Sequence, residues 1–180
     1  TQKPIGSWMM HFTHRDRQYQ AWIKEGSPAV MWLSGLHIAE SYLTALVQTT
    51  CRLKLWPLDK STLFTVVTRY PTKDDVPAKL ESGCYVEGIY LEGACWDIEK
   101  SVLMTQKPKK LVEELPIMQV IPMEAARVKL QNTLRTPVYS TQIRKNAMGF
   151  GLVFEADLAT PEHLSIWILQ GVSLCLNTDQ

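Results

Sequence analysis

Residues 83–97 read "GCYVEGIYLEGACWD", with three carboxylates, one tryptophan, two cysteines and three glycines in fifteen positions. Such a segment is either a catalytic strand bearing paired acids or a structural hairpin. Residues 84–92 alternate with the period of a strand, which puts Cys84, Val86, Gly88, Tyr90 and Glu92 on one face. Tyr85, Glu87, Ile89 and Leu91 fall on the other. Glu87 and Glu92 then point to opposite faces, roughly 16 Å apart at about 3.3 Å per residue. A glycosidase-type pair needs about 5–10 Å, so these two acids are not a dyad. A bend at Gly93 and Ala94 would return Asp97 toward Glu92, but acids at a strand end are commonly solvated turn residues. Gly88 and Gly93 suit a bulge or a close backbone approach.

The same period recurs on both sides of this segment. Residues 63–70, 115–122, 136–143, 150–158 and 171–177 read as further strands, with Pro137 confined to the start of its own. Turn chemistry at "TKDD", "QKPKK", "NAMG" and "ATPEH" separates them. Upstream the period is helical. Residues 7–25 form a first helix with Ser7 as cap and Gly26 as stop, and Trp8, Phe12, Tyr19, Trp22 and Ile23 make its apolar stripe. Residues 39–54 form a second, with a stripe of Tyr42, Leu43, Leu46, Val47 and Leu53 and Pro57 beyond its end. Two helices followed by about six strands is an α+β segregation, with a helical part over 1–60 and a β part over 61–180. An antiparallel barrel or sandwich closes such a strand set.

Composition excludes several classes. A 180-residue protein buries roughly 70% of its unfolded surface and needs no staples. A net charge of +1 gives no electrostatic signal for nucleic acid. No apolar run approaches membrane-spanning length, and no secretory leader pattern is visible. A start at Thr1 suggests a fragment or a processed protein. Cys51, Cys84, Cys95 and Cys175 are widely spaced within apolar patterns, as expected of reduced, buried thiols in a cytosolic compartment.

Catalytic and cofactor motifs are missing. There is no phosphate-binding G-x-x-x-x-G-K-[ST], no dinucleotide fingerprint and no nucleophile elbow. His11 and His14 lie three apart on a helix without a third ligand nearby, so no metal is expected. Cys84 and Cys95 lack zinc spacing. His163 reads as a solvated or capping residue. The residues alone describe a binding or interaction domain without naming its partner.

Five segments, in order, carry a resemblance: "KPIGSW" (3–8), "PAVMWLSGLHIAESYLTALVQ" (28–48), "GCYVEGIYLEGACWD" (83–97), "PVYSTQIR" (137–144) and "WILQGVSLCL" (167–176). Together they resemble the C-terminal domain of dynein heavy chains, of the axonemal branch. The family often has arginine where Cys95 and Gln170 stand, aromatics at Leu36 and His37, and histidine at Ile166. The resemblance implies helices followed by an incomplete six-stranded antiparallel β-barrel, laid across one face of the parent's ring of AAA+ ATPase modules. It implies a parent that uses ATP and magnesium and walks toward microtubule minus ends. That parent would assemble with other dynein subunits in the axoneme of a cilium or flagellum, within the cytoplasm and cytoskeleton. The segment itself would hold no cofactor and catalyse nothing, bracing the ring and tuning motor output.

Under that resemblance Gly88 and Gly93 let a barrel strand bend and Trp96 anchors the hairpin. Glu92 and Asp97 tie down the turn through backbone N–H groups or a nearby cation. The first helix offers a docking surface, with Trp8 in the aromatic stripe and Arg15, Arg17 and Lys24 as a polar rim. The competing reading is a stand-alone β-barrel that binds a small ligand, which requires a hollow interior.

Overall fold

The computed structural model describes residues 3–128, 131–141 and 151–177. Helix α1 (Ile5–Glu25) begins two residues earlier than its sequence suggests. Pro4 takes the N-cap position and Ser7 lies inside the first turn, so the start has no hydrogen-bonding side-group cap. Gly26 ends the helix at φ 84°, its N–H donating to the Trp22 carbonyl. Helix α2 (Ala39–Lys54) has the expected bounds. Leu43 is buried as the stripe requires, but Leu53 is 80% exposed. Ten residues at 100° each leave Leu53 about 80° around the helix from Leu43, off the buried stripe.

Eleven strands occur among the described residues: β1 (Val30–Trp32), β2 (Ser61–Val67), β3 (Cys84–Glu87), β4 (Tyr90–Glu92), β5 (Cys95–Asp97), β6 (Val102–Met104), β7 (Val112–Glu114), β8 (Met118–Glu124), β9 (Thr133–Tyr139), β10 (Leu152–Ala159) and β11 (Ser173–Cys175). A short helix, α3 (Leu164–Leu169), precedes β11. One sheet has the order β1-β3-β8-β2 and the other β10-β9-β11-β4-β7, while β5 and β6 form a separate hairpin. Both larger sheets are mixed, with β1 parallel to β3 and β11 parallel to β9.

The α+β class stands, with two mixed sheets in place of one antiparallel set of six strands, and among the described residues neither closes into a barrel. The reason lies in residues 84–92, which are not one strand. Gly88 at φ 75° turns the backbone, so β3 pairs in the first sheet and β4 in the second. The faces assigned to 84–92 as a unit are therefore split. Residues 115–117 make the same crossing between β7 and β8, and the Leu115 N–H donates to the Ile89 carbonyl there. On the far side the outer strands β2 and β10 share no ladder.

Alternation fills the space between the sheets. Phe154, Ala156 and Leu158 of β10 are buried, and Glu155 between them is exposed. On β2 the inward face carries Thr65 and Val67, while Val66 is exposed. Leu91, Met118, Val138, Leu174 and Trp167 are almost wholly buried in the same core. Pro137 lies inside β9, opposite Glu155, rather than at the strand start. The strand end read at 142–143, the strand start at Phe150 and the "NAMG" turn lie outside the described residues.

Candidate docking surface

Helix α1 is held to the domain by a few contacts along one side. The Gln18 amide acts as a short strand partner for β1: its Oε1 accepts from the Trp32 N–H at 2.9 Å and its Nε2 donates to the Trp32 carbonyl at 3.0 Å. Tyr19 Oη accepts from the His37 N–H, and Trp22 meets Tyr42 edge-on at 5.7 Å. The His11 and His14 rings lie 4.9 and 4.2 Å from the Trp32 ring.

Trp32 is thus the hub on which α1 rests, and two glycines make room for it. A Cβ on Gly35 would lie 2.4 Å from Trp32 Cε3, and one on Gly88 would lie 2.9 Å from Cδ1. Nothing in the sequence pattern had given Trp32 a role. A tryptophan three residues before a glycine, with a lone glycine in a distant strand, was the available signal.

Beyond these contacts α1 is bare. None of its 21 residues is buried. Trp8 is 54% exposed and stacks on Phe12, with Met9, Met10 and Ile5 also exposed. Water-exposed apolar side chains in such a cluster mark a surface that another surface covers. The rim cations divide. Arg17 and Lys24 are exposed, whereas Arg15 is half-buried, with an Nε that has no hydrogen-bond partner.

Arg17, His14 and Gln18 also line a cleft of about 510 Å³ between α1 and β1, completed by Lys73, Asp74 and Glu87. Burial holds the His11 and His14 imidazoles below their ordinary value; Lys3 and Arg15 add to this at His11, as Lys73 and Arg17 do at His14. Burial raises the Glu87 carboxyl, with Lys73 opposing.

The hairpin residues sit in a different part of the fold. Asp97 Oδ1 accepts from the N–H groups of Glu99 and Lys100, both at 3.0 Å, and so caps the turn between β5 and β6. Glu92 accepts from the Ser173 hydroxyl at 3.3 Å, across the β4–β11 pair. Gly93, at φ 79°, passes close to the Gln170 carbonyl. Trp96 is 8% exposed, its backbone N–H donating to a Glu113 carboxylate oxygen at 2.8 Å. Glu92 and Asp97 are each engaged in binding their own scaffold.

No group of three or more metal-ligating side chains occurs among the described residues. All four cysteines are free and buried, and burial pushes the Cys84 thiol up to about 11. A thiol so raised stays protonated and unreactive at neutral pH. No described helix is long and apolar enough to cross a membrane. The buried apolar side chains form one cluster between the sheets, a cavity of about 140 Å³ lies at the β2–β10 seam, and the 510 Å³ cleft lies under α1.

Residues 1–176 match the model of the family of C-terminal domains of dynein heavy chains. The protein is 62% identical over 179 residues to dynein axonemal heavy chain 10 of Homo sapiens, a match over 99% of its own length. It is 59% identical over its whole length to the dynein-1-alpha heavy chain, flagellar inner arm I1 complex, of Chlamydomonas reinhardtii. The dynein beta chain, flagellar outer arm, of the same alga is 35% identical over 97% of the present sequence. In each case the match spans 4% of the relative's length.

Proposed function

The protein belongs to the family of C-terminal domains of dynein heavy chains, and from that premise we propose that it is a non-catalytic brace of an axonemal dynein motor. It packs on the ring of AAA+ modules of its own heavy chain and modulates an ATP-driven, minus-end-directed microtubule motor. The setting is the axoneme of a cilium or flagellum, which agrees with relatives named as axonemal and flagellar. ATP and magnesium belong to the ring modules, and the motor's microtubule contacts lie elsewhere in the parent.

The observation that carries this reading is α1, a 21-residue helix with no buried residue and an exposed aromatic cluster at Trp8 and Phe12. The cluster is the apolar centre of the docking surface, with Arg15 half-sunk on the same side of the helix, whereas Arg17 and Lys24, about 180° and 160° around the helix from Trp8, face away from it. The stand-alone small-ligand barrel is not favoured by a family match that runs over residues 1–176.

The test is the pair Trp8→Ala and Phe12→Ala. Exposed side chains contribute little to folding, so the 180-residue protein should keep its melting temperature. The same pair in the full motor should change gliding velocity or the coupling of ATP turnover to movement. A motor that behaves as wild type while its domain is folded would remove α1 from the interface.

A further inference from the structure

Helix α2 carries a second uncovered surface. Two adjoining cavities, of about 400 and 310 Å³, run along it and share Gln48 and Leu58 as lining. They extend from Glu40 to Leu55, about 22 Å at 1.5 Å per residue, which matches a helix of about four turns. At the far end Leu53, Leu55 and Leu58 are 80, 90 and 53% exposed.

Leu55 is also held in the left-handed region, at φ 54°. A bulky residue is rare there, where glycine or asparagine would cap the helix without strain. With nine-tenths of its surface exposed, Leu55 gains nothing from the core in return. Such an outlier points to a use outside the fold.

Cations outnumber carboxylates around this leucine: Arg52, Lys54, Lys60 and Arg127 against Asp59 and Glu124. Lys54 Nζ stands 4.8 Å from the Trp56 ring centroid and the Arg127 guanidinium 5.7 Å from it. Arg127 is ion-paired with Glu124, but Arg52 and Lys54 have no carboxylate partner among the described residues. The opposite end of the groove carries Glu40.

We propose that the groove along α2, from Glu40 to Leu55 and Trp56, is a docking site for an amphipathic acidic helix of a separate polypeptide. Its apolar stripe lies on Leu55 and Leu58, and its carboxylates meet Arg52 and Lys54. A second copy of this protein offers no match through its bare helix: α1, with the turn before it, carries four cations against two carboxylates and would meet like charge. A permanent contact within one polypeptide would favour an apolar, lysine-poor surface like the Trp8 and Phe12 cluster. Unpaired cations around a small apolar centre suit a partner that binds and leaves.

The probe is a stapled fifteen-residue helical peptide with leucines at i, i+3, i+4 and i+7 and glutamates at one end, titrated calorimetrically into the 180-residue protein. A micromolar Kd is expected, with binding at least tenfold weaker when lysines replace the glutamates. Leu55→Glu should weaken binding at least tenfold, and Arg52→Glu with Lys54→Glu should reverse the preference between peptides. Leu55→Gly, which relieves the backbone, keeps the control folded while removing the apolar contact, and should also weaken binding. Equal affinity for the two peptides, or indifference to Leu55→Glu, would overturn the site. This arm does not depend on the motor reading and is untouched by Trp8→Ala. In intact motor complexes, a photo-cross-linker placed at Leu55→Cys should mark a polypeptide other than the heavy chain. Cross-links to the same heavy chain, or a dimer of this domain that Leu55→Glu dissolves, would overturn the assignment of the partner.

Discussion

The Asp157 N–H donates to Thr65 Oγ1 at 2.7 Å. This bond joins β10 to β2, the outermost strands of two sheets that share no ladder on that side. Where a closed barrel would have a row of backbone bonds, the fold has a threonine hydroxyl. Thr65 is 2% exposed, so neither partner can turn to water if the other is lost.

Thr65→Val keeps the shape and removes the acceptor. It should destabilise the protein by about 1–3 kcal/mol, the usual consequence of stranding a buried donor. Thr65→Ser restores the hydroxyl and should recover most of that loss. Urea melts of the three proteins decide the matter, and a valine variant as stable as wild type would show that the seam needs no bond.

Gly88→Ala tests the crossing between the sheets together with the seat of α1. The position has φ 75°, and the new Cβ would stand 2.9 Å from Trp32 Cδ1. A β-carbon there meets backbone strain and a ring packed on two histidines, so a loss of about 1–3 kcal/mol is expected. Gln18→Ala breaks only the two bonds to the Trp32 backbone. Its effect should be local, seen as faster amide exchange in α1 with little change in the global melt. Slow exchange retained in α1 would reduce Gln18 to a bystander.

Acidification should loosen the same helix. His11 and His14 are held below their ordinary value in the folded protein, first by burial and then by Lys3, Arg15, Lys73 and Arg17. An Asn177 hydrogen bond opposes this at His11. The unfolded state therefore takes up protons first, near pH 6.5. The contribution of the neutral rings is full above that pH and is lost as pH falls toward the depressed folded values. Melting temperature should drop between pH 7.5 and 5.5, and His11→Gln with His14→Gln should flatten the slope. An unchanged slope in the double variant would assign the pH dependence to other groups.

How far these features could be read in advance depended on how local their causes are. The 39–54 helix was legible because its period, stop and length all lie within it, and the alternation of Phe154, Ala156 and Leu158 was legible for the same reason. The break at Gly88 was not, because 84–92 alternates without interruption and only the pairing of its halves with different sheets reveals the turn. β1 is three residues long and α3 six, too short for a period to show. Of the docking surface, helical spacing put Trp8 and Phe12 on one stripe but did not show that they are exposed, because an amphipathic helix normally buries such a stripe. Arg15 was expected as a rim charge, but at 100° per residue it lies within about 20° of Trp8 and of Trp22 around the helix, on the stripe itself, in keeping with its half-burial. Trp32 stayed hidden because its neighbours, His11, His14, Gly35 and Gly88, are scattered along the sequence.

Two tryptophans separate packing from hydrogen bonding. Trp96 is 8% exposed and its Nε1 has no hydrogen-bond partner. Trp167 is 1% exposed and its Nε1 donates to Thr160 Oγ1. Truncation should hurt alike at both: Trp96→Ala and Trp167→Ala each remove a buried indole, at about 3–5 kcal/mol. Phenylalanine should part them. At Trp96 it deletes an N–H that bonds nothing, and the remaining loss is the volume of one ring. At Trp167 it also strips a donor from the Thr160 hydroxyl, which must then rely on Glu162, whose N–H donates to it and whose carbonyl accepts from it. Trp167→Phe should therefore lie about 0.5–1.5 kcal/mol below Trp96→Phe in stability, the net worth of one such bond. Denaturant melts of the four variants give both differences. Equal losses for the two phenylalanine variants would mean that the Trp96 N–H finds a partner of similar worth, and a loss under about 1 kcal/mol for Trp96→Ala, well short of the buried-indole range, would place its ring at the surface.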